Sequence, residues 1–417
     1  MKKIESVPFF RPSIGQEEVD QVVATLRSGW LTTGPRVKQF EKDFAAAVGA
    51  RHAVAVNSGT AALHLAVEAL KLRAGEGVFV PTMTFAATAE IVRYLGAIPI
   101  LVDCDPSTLN MDLEDGSRKL ASLRSGKLPG IPKETRIVGA IPVHVGGLLM
   151  DPDVLREWAR REGLWLVEDA AHAFPASSRK DAGAPWRRCG EDTAEVSCFS
   201  FYANKTITTG EGGMAATDDA ALADRMRLMS LHGLSQDAWE RYSGGKSWDY
   251  RIIAPGYKYN LTDVAAAIGI PQLARAEKMR LEREAIAERY REALGQIDEV
   301  ETPPVEEDRI HSWHLYPIRL RLEQLAIDRN AFIDSLKESG VGCSVHWRPL
   351  HLHPYYQSTF GWRPEDFPVA TNTWESLVSL PIFPGMREEE TEFVIRVIRD
   401  LCAKHTRLSA QVAAAKR

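Results

Sequence analysis

The stretch VSCFSFYANKTITTGEGGMA, from Val196 to Ala215, indicates the architecture of this chain most clearly. Its opening residues, VSCFSF, are apolar and β-prone, which predicts a buried strand. That strand delivers Lys205 into a loop of threonines and glycines. An amine held near apolar surface can lose its proton and attack a carbonyl carbon, which is how Schiff-base catalysis begins. A lone lysine is more often a solvated surface charge, so the interpretation depends on the residues around it.

A second informative stretch, LWLVEDAAHA, runs from Leu164 to Ala173. Four consecutive large apolar residues followed by two acids predict a fully buried strand of a parallel sheet. Ligands of open α/β sheets bind at the carboxyl ends of the strands, which is where this pattern places Asp169. The alternative is that Asp169 only caps the turn or helix that follows.

The third stretch is HAVAVNSGTAALHLAVEAL, from His52 to Leu70. An alternating strand is followed by Ser58, Gly59 and Thr60, which open a helix rich in alanine and leucine. Free backbone N–H groups at that helix start, with two hydroxyls beside them, predict a phosphate site. Glycine allows the backbone to approach the anion closely. The alternative is an ordinary Ser/Thr N-cap.

A lysine, a carboxylate and a helix N-terminus are together the groups that bind pyridoxal phosphate. The lysine forms the aldimine, the carboxylate keeps the ring nitrogen protonated, and the helix terminus holds the phosphate. Strand signals, among them Ile137 to Val145 and Gly213 to Thr217, alternate along the chain with helix signals such as Pro152 to Glu162, as expected for a doubly wound α/β domain. The sequence therefore predicts an α/β enzyme that uses this cofactor.

With these motifs in the same order, the chain resembles the DegT/DnrJ/EryC1/StrS family of pyridoxal phosphate-dependent sugar aminotransferases, within the fold-type I (aspartate aminotransferase-like) superfamily. The resemblance covers nearly the whole chain, from about Val7 to about Leu401. The stretches that carry it are NSGTAAL (Asn57 to Leu63), PTMTFAATA (Pro81 to Ala89), EDAAHA (Glu168 to Ala173), SFYANKTITTGEGG (Ser200 to Gly213), GYKYNLTDVAAAIG (Gly256 to Gly269), SVHWRPLH (Ser344 to His351) and SLPIFPG (Ser379 to Gly385).

The resemblance implies a role for each matching residue. Lys205 is expected to form the internal aldimine and to shuttle the proton, and Asp169 to pair with the pyridinium nitrogen. Phe85 is expected to stack on the cofactor, although simple core packing is its alternative role. His172, where many members carry glutamine, is expected near the phenolic oxygen. The cofactor-binding positions are therefore expected to be Ser58, Gly59, Thr60, Phe85, Asp169, His172, Ser200, Lys205 and Asn260.

Asn260 matches a residue that reaches the phosphate of the neighbouring subunit's cofactor, so the resemblance implies an obligatory homodimer. It also implies a large domain with a mostly parallel seven-stranded sheet flanked by helices, and a smaller C-terminal α/β domain. We expect the large domain over residues 1–275, the small domain over 276–405 and a frayed tail over 406–417. The charged, amphipathic run from Glu277 to Leu294 is expected to be a helix that bridges the two domains.

The composition agrees with this picture. A chain of 417 residues suggests two domains, and a net charge of -5 argues against a general nucleic-acid or membrane-surface role. The five cysteines are scattered and lack a C-x-x-C pair, which is typical of reduced thiols rather than of a disulfide or zinc framework. The N-terminus has no apolar stretch long enough for a signal peptide or a membrane span. We therefore expect a cytoplasmic protein.

The substrate side is marked less clearly. Arg179, Lys180, Arg187 and Arg188 form a basic cluster that could bind a nucleotide diphosphate, but such loops are more often simply solvated. HWRPLHLHPYY, from His346 to Tyr356, has histidine spacings that do not suit a metal site, and we predict none. In the family this region borders the active site. His346 and Arg348 are therefore candidates for contacting the sugar nucleotide or the carboxylate of the amino donor.

We expect an aminotransferase that converts a nucleotide-linked keto sugar, of the 4-keto-6-deoxy type, to the amino sugar with L-glutamate as donor. Transfer by way of Lys205 gives ping-pong kinetics. The alternatives are a 3-keto sugar or cyclitol ketone as substrate, a sugar dehydratase, and a non-catalytic regulator that keeps the fold. Relatives that act as dehydratases replace the lysine by histidine, whereas this chain keeps Lys205.

Overall fold

The computed structural model of the protein describes residues 4–234 and 251–407. Most of the predicted frayed tail, residues 408–417, lies outside this range. Within it, the strands are β1 (His52–Val56), β2 (Gly77–Pro81), β3 (Ile98–Val102), β4 (Ile137–Ala140), β5 (Trp165–Asp169), β6 (Ser177–Ser178), β7 (Arg187–Arg188), β8 (Val196–Ser200), β9 (Gly213–Thr217), β10 (Val300–Glu301), β11 (Arg309–Ile310), β12 (Tyr316–Leu320) and β13 (Leu377–Leu380).

Seven of these strands form one sheet in the order β1-β9-β8-β5-β4-β2-β3. Strands β8, β5, β4, β2 and β3 run parallel to one another, and β9 is antiparallel to both of its neighbours. The buried strands are rich in valine, isoleucine and alanine because helices cover both faces of such a sheet. This confirms the predicted α/β class with a mostly parallel seven-stranded sheet.

Helices connect these strands along the chain. The α-helices of the described residues are α1 (Gln16–Ser28), α2 (Pro35–Val48), α3 (Gly59–Ala69), α4 (Ala87–Tyr94), α5 (Leu113–Arg124), α6 (Pro152–Glu162), α7 (Ala220–Ser230), α8 (Asp263–Ala274), α9 (Ala276–Leu294), α10 (Arg329–Glu338), α11 (Pro354–Phe360), α12 (Pro368–Ser376) and α13 (Glu388–His405). No helix within 4–234 or 251–407 is both long and apolar enough to cross a membrane.

Helix α9 connects two hydrophobic cores. Its first half places Met279 in the core that lies against β1, β8 and β9, together with Phe40 and Phe44. Its second half places Ile286 and Tyr290 in a separate core built around β12, β13 and α13. This is the bridging position predicted for the run that begins at Glu277. The domain boundary at residues 275 and 276 remains a prediction.

The strand predictions differ from the structure mainly around β4. A strand was expected from Ile137 to Val145, but β4 ends at Ala140. Pro142 cannot donate a ladder hydrogen bond, and Gly146 and Gly147 have positive φ angles of 66° and 106°. The chain therefore turns at this point. A side chain at position 147 would also collide with Ser312, because a Cβ there would lie 1.8 Å from its Oγ.

Candidate active site

A cavity of about 480 Å³ opens at the carboxyl ends of β5 and β8. It brings together nine of the residues predicted for the site, namely Ser58, Gly59, Thr60, Phe85, Asp169, His172, Ser200, Lys205 and His346. Further lining comes from Leu63, Thr84, Ala87, Val143, Ala171, Cys198, Tyr202, Asn204, Glu211, His314, Val345 and Trp347. The arrangement joins polar groups from distant parts of the chain in a largely apolar pocket, as ligand sites commonly do.

Asp169 ends β5 and is buried at the base of the cavity. Its carboxylate accepts hydrogen bonds from Thr88 Oγ1 (2.8 Å) and from the N–H of Ala171 (3.2 Å). Burial raises the pKa of this carboxyl group, and these two donors only partly offset the rise. A buried carboxylate that forms no ion pair with any described residue suits a cationic ring N–H, because such a partner would stabilise its charge. Thr88, one turn after Thr84, was not singled out from the sequence.

Lys205 follows β8 in a short turn that is closed by a hydrogen bond from its own N–H to the carbonyl of Tyr202 (2.9 Å). Burial lowers the pKa of its ammonium group to about 8, although the negative charge of Asp169 acts in the opposite direction. No ion pair within the described chain includes this amine. A substantial neutral fraction at physiological pH makes Lys205 a competent nucleophile toward an aldehyde.

The predicted phosphate site remains a prediction, and the start of α3 has the features that it requires. Ser58 caps the helix, since its Oγ accepts the N–H of Ala61 at 3.1 Å. The first N–H groups of a helix have no partner within it and attract an anion. A Cβ at Gly59 would lie 2.9 Å from the Cβ of Ser200, so glycine allows the helix start to sit against the end of β8. The helix terminus and the Ser200 hydroxyl together fit a phosphate group.

Aromatic and histidine side chains form the remaining walls. Phe85 is 62% exposed, which suits a residue whose ring a flat cofactor would cover. His172 stacks on Trp347, with ring centroids 5.0 Å apart and planes 18° apart. His346 bonds through Nδ1 to Ser379 Oγ (2.9 Å). Burial lowers the pKa of His346 to about 4 and that of His172 well below its usual range, so both imidazoles are neutral.

A buried carboxylate, Glu168, lies on the other face of β5, directly behind Asp169. It accepts hydrogen bonds from Thr193 and Ser197 (both 2.6 Å), and His144 Nε2 lies 3.3 Å away, off linear hydrogen-bond geometry. Burial would raise the pKa of Glu168, but these partners lower it overall. His144, Glu168 and Cys189 are spaced closely enough to hold a metal ion. However, one carboxylate oxygen, Oε2, already accepts both hydroxyl bonds, and burial raises the pKa of the Cys189 thiol, so this donor set does not fit a metal.

Arg348 and Asn260 are the two predicted residues that do not line this cavity. The exposed guanidinium of Arg348 donates to the carbonyl of Leu352 (2.9 Å) and lies over the ring of Trp374. Asn260 donates to Thr33 Oγ1 (2.7 Å) and accepts from Lys258 Nζ (2.6 Å). The backbone of Asn260 pairs with Val56, two residues before Ser58, but these contacts hold its side chain outside the lining of this chain's own cavity.

The basic cluster before β8 also lies outside the cavity, and three of its cations already have partners. Arg179 lies over the ring of Trp186 and donates to the carbonyl of Glu307 (3.0 Å). Arg187 pairs with Asp153 (2.8 Å) and Arg188 with Glu277 (3.5 Å). These contacts favour the interpretation of the loop as an ordinary solvated surface.

Comparison with known proteins gives a consistent result. The model of the DegT/DnrJ/EryC1/StrS aminotransferase family matches residues 12–399. The spore coat polysaccharide biosynthesis protein SpsC of Bacillus subtilis (strain 168) is 43% identical over 401 residues, which is 96% of this chain and 98% of that protein.

Solved structures resemble the chain over a similar extent. Spr1654 from Streptococcus pneumoniae, described as a sugar aminotransferase and solved in its PLP form, has a TM-score of 0.83 at 28% identity, covering 96% of this chain and 99% of that one. DesV of S. venezuelae, solved in complex with a ketimine intermediate, has a TM-score of 0.83 at 29% identity, with coverage of 96% and 99%.

The phosphate site can be tested with Ser200→Ala. Removing a hydroxyl that donates to a charged phosphate should weaken binding of pyridoxal phosphate to the cofactor-free enzyme about tenfold. Binding of pyridoxal, which has no phosphate, should be unchanged, and absorbance titration measures both. The control is Ser197→Ala on the same strand, whose hydroxyl bonds to Glu168 behind the sheet. The control should lower stability without altering the ratio of the two affinities. An equal loss of affinity for both ligands in Ser200→Ala would contradict the assignment.

Proposed function

We propose, because the chain belongs to the DegT/DnrJ/EryC1/StrS aminotransferase family, that it transfers the amino group of L-glutamate to a nucleotide-linked keto sugar of the 4-keto-6-deoxy type. The predicted family, fold class, enzyme class and cofactor are confirmed: the chain is a pyridoxal phosphate-dependent sugar aminotransferase of this family. The nucleotide, the amino donor and the position of the keto group are the parts that we add.

The observation that carries the proposal is the convergence of Lys205, Asp169 and the start of α3 in one cavity. Bound pyridoxal phosphate withdraws electrons from the carbon that carries the transferred amine. The Asp169 carboxylate would hold the ring nitrogen protonated, and Ser58, Gly59, Thr60 and Ser200 would hold the phosphate. The Lys205 amine, with a pKa of about 8, can take up a proton at Nζ and return it.

Relatives support the sugar substrate, and the motifs support the position of the keto group. SpsC is described as a polysaccharide biosynthesis protein, which suggests that the amino sugar product here serves polysaccharide synthesis. The GYKYNLTD motif, Gly256 to Asp263, resembles family members that aminate the 4-position. A 3-keto sugar or a cyclitol ketone is the alternative substrate. Retention of Lys205 favours transamination over dehydration.

We further propose a homodimer in which Asn260 completes the neighbouring site. Its absence from the lining of this chain's own cavity and its match to a residue of that role in the family support this assignment. The cytoplasm is the proposed location. The five cysteines form no disulfide, and Cys104, Cys189, Cys198 and Cys402 are buried as free thiols, which suits a reducing compartment.

Turnover tests the reaction. The purified enzyme, given L-glutamate and a nucleotide-linked 4-keto-6-deoxy sugar, should form 2-oxoglutarate and amino sugar in equal amounts. Lys205→Ala should lower turnover more than about a thousandfold, because it removes the nucleophile and the proton carrier. Lys180→Ala, in the exposed basic loop, should keep wild-type turnover. Loss of a sugar hydroxyl without formation of 2-oxoglutarate would establish a dehydratase instead. Conversion of 3-keto substrates alone would place the keto group of the substrate at carbon 3 and not at carbon 4.

Subunit mixing tests the shared site. Lys205→Ala and Asn260→Asp should each be inactive as homodimers, the second because it sets a negative charge against the phosphate. Co-expression should restore about a quarter of wild-type activity, since half the dimers are mixed and each contains one intact site. The control pair, Lys205→Ala with Asp169→Asn, removes two residues of the same chain's site and should restore none. Equal recovery in both pairs, or in neither, would contradict the shared site.

A further inference from the structure

We propose that His314 binds a hydroxyl group of the sugar ring in the active-site cavity and helps to determine substrate specificity. The inference rests on the proposed sugar aminotransferase function and deepens it by naming a substrate contact. His314 lies just before β12, in the segment SWHLY, and no motif of the sequence marked it.

The first observation is that His314 is buried without a hydrogen-bond partner. Six histidines of the described chain are buried, and four of them have partners: His64 with Tyr259, His144 with Met150, His311 with Trp313, and His351 with Thr82 and Thr371. The other two, His172 and His314, make no hydrogen bond through their imidazoles among the described residues. Both line the active-site cavity. His64 and His144 also have an unpaired Nε2 atom, but each keeps one hydrogen bond through Nδ1. The two rings with no hydrogen bond at all both lie in the cavity wall, and because an unpaired buried polar group is costly, this indicates a bound ligand as the missing partner.

His172 already has an expected partner, the phenolic oxygen of the cofactor, whereas His314 has none. The two rings lie against each other, with centroids 4.2 Å apart. Trp347 stacks on His172 and His346 lines the same wall. His314 therefore belongs to the same wall of the cavity as His172, the residue that is expected to contact the cofactor.

The second observation is that the backbone around His314 is fixed from both sides. The buried guanidinium of Arg283 donates to the carbonyls of Trp313 (3.1 Å), His314 (3.4 Å) and Ile382 (2.8 Å). On the opposite side, Ser312 Oγ donates to the carbonyl of His172. Burial lowers the pKa of Arg283 to about 9, which reflects the cost of placing a guanidinium here without a carboxylate. Such strong anchoring suits a side chain that must hold one position for a ligand.

The third observation concerns charge. Burial, followed by the nearby positive charges of His172 and Lys205 when protonated, lowers the pKa of His314 well below its usual range. Its imidazole is therefore neutral and offers one donor and one acceptor. A hydroxyl group also donates and accepts, so the two match. No arginine among the described residues lines the cavity, which disfavours a carboxylate or a phosphate as the ligand of this wall.

The experiment combines stability with the two half-reactions of the holoenzyme. His314→Leu removes an unpaired imidazole, so the Tm of the cofactor-free protein should stay the same or rise. Conversion of the bound cofactor by L-glutamate, followed by absorbance, should stay within about twofold of wild type. Reaction of the amine form with dTDP-4-keto-6-deoxyglucose or UDP-linked 4-keto-6-deoxy-N-acetylglucosamine, whichever the wild type aminates, should slow about tenfold or more.

Two further variants separate ligand binding from structure. His351→Leu is the matched control, because its imidazole is also buried but bonds to Thr82 and Thr371 and lies outside the cavity. It should lower the Tm by a few degrees and leave both half-reactions unchanged. His314→Gln, which keeps an amide donor and acceptor, should restore part of the sugar half-reaction. The wild type should react more slowly with whichever of the 2-deoxy and 3-deoxy analogues lacks the hydroxyl that His314 binds. His314→Leu should show no such difference between that analogue and the parent sugar.

The outcomes separate this inference from the proposed function. If the wild type transfers the amine but His314→Leu leaves the sugar half-reaction unchanged, or slows both half-reactions equally, the inference is wrong while the function stands. A marked fall in the Tm of His314→Leu would likewise overturn it, because the imidazole would then have a structural partner. If no amino acid converts the cofactor in the wild type, the proposed function fails first, and the inference fails with it.

Discussion

The parallel pairing of β5 with β8 is the constraint on which the site depends. It sets Asp169 opposite Cys198, so both strands reach the same edge of the sheet together. From that edge one chain segment supplies the buried carboxylate, and the other supplies Ser200 and then Lys205. β9 returns antiparallel beside β8 and passes so close to the start of α3 that a Cβ at Gly213 would lie 2.4 Å from the Ser58 carbonyl oxygen. The sheet thus places the amine, the carboxylate and the phosphate site around one cavity.

Burial determines which side chains of this cavity carry a proton. The imidazoles of His172, His314 and His346 are neutral, because removing charged forms from water is costly and Lys205 lies nearby. The Lys205 ammonium is destabilised by the same burial, but its pKa of about 8 leaves it able to exchange a proton near physiological pH. A cavity whose three histidines are neutral and whose one amine titrates suits chemistry in which a single group moves the proton, while the neutral imidazoles bind an uncharged, hydroxyl-rich ring.

Local motifs were sufficient to predict the groups that lie at strand ends and helix starts. Asp169, Lys205 and Ser58 each follow or precede an element whose pattern is clear in the sequence, and the bounds of α6 and β9 match their predicted ranges. The contacts of His314 and Thr88 could not be predicted in this way, because each depends on residues far along the chain. Arg348 had the right chemistry, but its neighbours hold its guanidinium outside the cavity. The strand expected to reach Val145 was too long, because proline and glycine turn the chain after β4.

The most direct test of this account is the pKa of Lys205 in the cofactor-free enzyme, measured from the pH dependence of its labelling by an acylating reagent and quantified by mass spectrometry. Burial of Lys205 beside Asp169 predicts a midpoint near pH 8, so that about a tenth of the amine is neutral at pH 7. Asp169→Asn should lower the midpoint further, because the carboxylate's negative charge favours the ammonium form. A midpoint at the ordinary lysine value, unmoved by Asp169→Asn, would contradict the claim that burial beside Asp169 prepares this amine for catalysis.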